Sequence, residues 1–94
     1  MTVQTSGGKI ISTAINYIMS RGDAVVLATA SDIAITLPSA AGAGTIQCEV
    51  KNKSTGSITI NTFGGQTIDG QLSLKIYPDE NLTVVSDNAN WVIV

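Results

Sequence analysis

Short runs rich in Ile, Val and Thr, alternating between apolar and polar positions, are interrupted along the whole chain by Gly, Asn, Asp, Ser and Pro. A side-chain period of two is what a half-buried strand requires, so the pattern commits the chain to an all-β fold. It predicts strands over residues 10–19, 25–29, 33–37, 45–52, 57–62, 66–68, 72–76, 81–86 and 91–94. Gly22-Asp23, Ser31-Asp32, Ser54-Thr55-Gly56 and Asp87-Asn88-Ala89-Asn90 supply the turn chemistry between them, each as a hairpin or a corner. Residues 38–44, opened by Pro38 and dominated by small side chains, suit a loop crossing between two sheets. Such a crossover, with strands at intervals of roughly 8–12 residues, favours an antiparallel β-sandwich of jelly-roll type over a simple meander.

The first run has two readings. Ile10, Ile11, Ala14, Ile15, Ile18 and Met19 recur at helical spacing, while Ile11, Thr13, Ile15, Tyr17 and Met19 alternate at strand spacing. Strand is preferred because β-branched residues dominate and no good cap precedes the run.

Ninety-four residues make one domain, expected over residues 13–94 behind a flexible arm of residues 1–12 that contains Ser6-Gly7-Gly8. A chain of this size buries only about 64% of its unfolded surface, which makes an isolated monomer marginal. Hydrophobic residues reach 44% and charged ones only 13%, about half the usual share. Both facts point to partner subunits.

The same composition narrows the function. There is no histidine, which removes the commonest acid–base group and the commonest zinc ligand. A net charge of −2 and scattered cations, with only Lys51 and Lys53 close together, argue against nucleic acid. No stretch approaches the roughly 20 apolar residues that span a bilayer, and the opening eight residues lack the regions of a secretory signal, so no membrane partner and synthesis in a cytosol are expected. Cys48 shares an apolar face with Ile46 and Val50 and is expected in the core rather than as a nucleophile.

Gly42-Ala43-Gly44 and Phe63-Gly64-Gly65-Gln66 have turn spacing rather than nucleotide-binding spacing, and Arg21-Gly22-Asp23 repeats an integrin-binding tripeptide by chance. The oxygen-rich stretches Asp79-Glu80-Asn81 and Asp87-Asn88-Ala89-Asn90 are expected to cap turns, not to hold calcium. Tyr17, Phe63, Tyr77 and Trp91 are too few for a sugar-stacking platform, and Trp91 belongs over a core. No catalytic, cofactor-binding or metal-binding residue is assigned, no cofactor is expected, and the chain is not expected to be an enzyme.

The order of the motifs resembles a small β-domain of bacteriophage virion proteins, as in tail-fibre and head-fibre proteins. Ala24-Val25-Val26-Leu27-Ala28-Thr29, Ile33 to Ala40 and Ile46 to Asn52 form its first half. Ser57 to Thr62, Thr67-Ile68-Asp69-Gly70, Leu82 to Asp87 and Asn90-Trp91-Val92-Ile93 form its second. Ile35-Thr36-Leu37-Pro38, the Thr67-Ile68-Asp69-Gly70 turn and the Val85-Ser86-Asp87 ending with Trp91 are its most specific pieces, and the likeness covers roughly residues 13–94. The resemblance implies a non-enzymatic sandwich that forms homotrimers about a threefold axis. Its partners would then be its own copies and a major capsid protein or other virion protein. Little chain lies outside the domain, which favours a decoration protein on the outer head surface over a tail-fibre or baseplate piece. A host-glycan adhesin is the further alternative. The subunit contact is expected to include Ile15, Tyr17 and Met19, because the first run carries more large apolar residues than an exposed edge should.

Overall fold

The computed structural model describes residues 9–42 and 46–94. Its elements are β1 (Lys9–Thr13), β2 (Tyr17–Ile18), β3 (Asp23–Ala28), β4 (Ala34–Thr36), β5 (Gln47–Asn52), β6 (Ile58–Asn61), β7 (Ser73–Ile76), β8 (Asn81–Ser86) and β9 (Trp91–Ile93). One sheet has the order β1-β3-β5-β8-β9 and the other β2-β4-β6-β7. The all-β expectation therefore holds, and the radius of gyration of 12.1 Å matches the roughly 12 Å of a compact chain of this length.

The antiparallel jelly-roll expectation is corrected. Four of the seven strand ladders are parallel: β1 with β3, β3 with β5, β2 with β4 and β4 with β6. From β1 to β6 the chain alternates sheets at every step, so each strand returns to its own sheet running in the same direction as the last. The result is three stacked coils, β1–β2, β3–β4 and β5–β6, whose turns are corners between sheets. Only afterwards does the chain fold back, with antiparallel β7 on β6, β8 on β5 and β9 on β8.

Stacking explains why every coil carries the same residue types. Ile11, Val26, Val50 and Leu82 are register partners along the inner face of the larger sheet. Tyr17, Ile35, Ile60 and Leu74 form the facing row. Each fully buried side chain in these rows contributes about 1.5–3 kcal/mol of burial free energy.

Residues 10–19 are extended but not one strand. The Thr13 hydroxyl donates to the Ile15 carbonyl at 2.9 Å and accepts the Ile15 N–H, turning the chain out of one sheet and into the other. The Asn16 side-chain Oδ1 then accepts the Ala34 N–H at 2.9 Å, joining the first corner to the second coil. Residues 9–12, which the expected arm included, belong to β1; the rest of that arm lies outside the described residues.

Residues 66–68 form no strand either. Ile68 is bridged to Gln71 and to Trp91, and Asp69 and Gly70 take φ of 48° and 86°, a two-residue turn of the primed type. As the sequence implied, Ile68 points into the core and Asp69-Gly70 reverses the chain. Residues 38–42 pass from β4 in one sheet toward β5 in the other, as expected of a crossover, although residues 43–45 lie outside the described residues.

Two corners depend on particular side chains. Asn52 is buried; its amide donates to the Gly56 and Ile76 carbonyls, and its oxygen accepts from the Ser54 N–H and hydroxyl. A Cβ on Gly56 would lie 2.7 Å from that of Ser31, so adjacent corners touch where only glycine fits.

Candidate functional site

The side chains with chemical potential are occupied by the fold. Cys48 is buried among Val26, Val50 and Val84 in the core, as expected, and burial together with the nearby Asp23 charge pushes its thiol up to about 11. A thiol held there is protonated at neutral pH and a poor nucleophile. Asp23 is 2% exposed; its Oδ2 accepts from the Tyr17 hydroxyl at 2.7 Å and from the Ser20 N–H at 2.9 Å. The bond to Asp23 holds the Tyr17 hydroxyl above its ordinary pKa. With its carboxylate turned inward, the Arg21-Gly22-Asp23 tripeptide is not displayed. Arg21 donates to the Ser39 and Ala41 carbonyls and so ties the crossover loop to the second corner.

The acidic and amide stretches act on turns. Asp87 Oδ1 accepts the Ala89 and Asn90 N–H groups, which holds its carboxyl below the ordinary value. Glu80 accepts the Tyr77 N–H at 2.7 Å, Asn81 donates to Glu49, and Asn90 accepts the Thr67 N–H. Asp32, Asp69, Asp79 and Asn88 all occupy positive-φ turn positions. Among the described residues, no group of three or more His, Cys, Asp or Glu side chains is placed to hold a metal ion.

Aromatic rings are dispersed. Trp91 is buried and donates its indole N–H to the Pro38 carbonyl at 3.1 Å, covering the core as the sequence implied. Phe63 and Tyr77 are exposed, but they flank opposite ends of the β6–β7 ladder, where Asn61 faces Ser73 and Ile58 faces Ile76.

What the fold leaves uncovered is apolar. Ile10, Ile15 and Ile18 in the first coil are 63%, 72% and 72% exposed. Leu72, Val92, Ile93 and Val94 are exposed at the other end. Of the three residues expected at a subunit contact, Ile15 is exposed, Tyr17 is half-buried and Met19, at 3% exposure, is used by the core of its own chain. Tyr17 and Met19 keep the inward parity of Ile11, whereas Ile15 lies out at the bend of residues 14–16 and Ile18 points outward. Ile10 and Ile18 were thus missed; the signal that marks them is the complete lack of charge between Lys9 and Arg21.

No protein-family model matches the chain, and neither a curated protein nor a solved structure matches it.

Proposed function

We propose that this chain is a non-enzymatic structural protein of a bacteriophage virion, a homotrimer that binds the outer surface of the head shell and stabilises it. The observation that carries the assembly role is the first coil, where Ile10, Ile15 and Ile18 are exposed on a segment without charge. Surfaces of that kind mark contacts with other proteins. Placement in a virion rests on the motif order of residues 24–93, which resembles the phage β-domain. A non-catalytic role is supported by the occupation of Cys48, Asp23 and the turn carboxylates in structural bonds. The wide separation of Phe63 and Tyr77 speaks against a sugar-stacking adhesin. On a head shell, a trimer matches sites of local threefold symmetry and multiplies weak single contacts into avidity. Its synthesis would take place in the cytoplasm of the bacterial host. Cryo-electron microscopy of particles carrying the chain tests this: density at capsid threefolds is expected. Density confined to tail or baseplate would replace the head assignment, and binding above background on a glycan array would favour the adhesin.

A further inference from the structure

Asp69-Gly70 is the one place in the sequence where an Asp or Asn is followed by Gly. That pair carries a chemical hazard of its own. The Gly70 main-chain nitrogen can attack the Asp69 side-chain Cγ: an N–Cγ bond forms, the Cγ–OH bond breaks, and water leaves with the hydroxyl and the amide proton. The product is a five-membered succinimide. Water that then adds to the Asp69 main-chain carbonyl breaks its bond to the Gly70 nitrogen, and the chain afterwards runs through Cβ and Cγ as isoaspartate. The water lost is regained, so no other reactant is needed. A glycine after the acid favours ring closure because no side chain crowds the attacking nitrogen. Here both residues are exposed, with open space where a Gly70 Cβ would stand.

The fold opposes the reaction. Ring closure requires the carboxyl to turn back onto its own main chain and that main chain to rotate. Asp69 Oδ1 instead accepts the Ile93 N–H at 3.2 Å, which directs the carboxyl across to β9. The main chain of the turn is fixed as well: the Ile68 N–H donates to the Gln71 carbonyl at 2.7 Å and the Gln71 N–H to the Ile68 carbonyl at 2.9 Å, while the Asp69 N–H donates to the Trp91 carbonyl at 3.0 Å. We infer that Asp69-Gly70 is a site of spontaneous backbone isomerisation that β9 restrains, with the Ile93 N–H as the group that holds the carboxyl away from Gly70. The dependence is mutual. Isoaspartate lengthens the main chain of a two-residue turn by one methylene carbon and moves the free carboxylate off Cβ, so isomerisation also uncovers the edge of β9.

The test follows isoaspartate at residue 69 by peptide mapping while the full chain is incubated in mildly acidic buffer, where carboxyl groups in general keep a protonated fraction, the form that loses water. The samples are folded wild type, wild type unfolded in guanidinium, Ile93→Pro and Ile93→Ala, with circular dichroism to check folding. Proline removes the N–H at an edge position where that group faces away from β8; alanine keeps the N–H and removes the side chain. Unfolded wild type is expected to isomerise at least about a hundredfold faster than folded, because the folded reaction waits on local opening. Ile93→Pro should run about tenfold faster than folded wild type, and Ile93→Ala within about twofold of it. Absence of isoaspartate in the unfolded chain would overturn the site, and equal rates in folded and unfolded wild type would overturn the restraint. Ile93→Pro at the wild-type rate, or Ile93→Ala as fast as Ile93→Pro, would overturn the role of the Ile93 N–H. If the proline variant does not fold, folded wild type in sub-denaturing guanidinium replaces it. There isoaspartate formation must rise in step with hydrogen exchange of the Ile93 amide, and a rate indifferent to that exchange would overturn the same role.

Discussion

At the first-coil end β1 and β2 have no neighbouring strand on their outer edges among the described residues, whereas at the far end the edge of β9 is occupied. There the Thr67 carbonyl accepts the Trp91 N–H, the Trp91 carbonyl accepts the Asp69 N–H, and the Asp69 side chain accepts the Ile93 N–H. Both ends are built from β-branched residues of the same kind, so strand composition does not decide which edge is closed. A turn does: the reversal at Asp69-Gly70 lays a short irregular segment along β9, which blunts an edge that would otherwise invite pairing. The first coil has no comparable device among the described residues. Its protection is expected from other copies of the chain.

The largest effect is expected at the closed end. Trp91→Ala removes a fully buried ring and its bond to Pro38, and should cost about 3–5 kcal/mol in urea unfolding. Trp91→Phe, which keeps much of the packing, should lose far less. At the open end two neighbours should part company. Met19→Ala should cost about 2–5 kcal/mol, whereas Ile18→Ala should change the stability of the separated chain by no more than about 0.5 kcal/mol. Equal losses at the two positions would break the distinction between core and contact face.

Between the ends, Asn52→Ala strands the carbonyls of Gly56 and Ile76 and should cost about 2–3 kcal/mol. The smallest effect concerns Cys48. With its thiol at about 11, roughly one molecule in a thousand holds a thiolate at pH 8, so thiol reagents should modify it only after unfolding. Because burial raises the folded value above the ordinary 9.0, the unfolded chain loses this proton first. The contribution is therefore complete below pH 9 and is lost between pH 9 and about 11. Rapid labelling of the native protein would show a core more open than described.

The sequence showed some features because their causes are local. Alternation revealed the strands, Asp-Gly revealed the turn after Ile68, and apolar neighbours placed Cys48 and Trp91 inside. Strand direction was hidden for a physical reason: a corner between sheets and a hairpin within one use the same Gly, Asn, Asp and Ser residues. Ser54-Thr55-Gly56 is a corner and Asp87-Asn88-Ala89-Asn90 a hairpin, and nothing in their composition separates them. Alternation placed Ile15, Tyr17 and Met19 on one face, but it could not show that the Thr13 side-chain bonds bend the chain there, leaving Ile15 out at the corner while Met19 enters the core.

Hydrogen exchange read by mass spectrometry tests the asymmetry of the two ends most directly, comparing the wild-type assembly with the Ile15→Lys, Ile18→Lys variant. Peptides covering residues 67–69 and 91–93 should exchange slowly and alike in both proteins, since Trp91 and Ile93 donate within their own chain. Peptides covering residues 9–18 should be protected in the assembly and exchange fast in the variant. Equal protection of residues 9–18 in both proteins would mean that the first coil is covered by its own chain, which contradicts an open end completed by neighbouring copies.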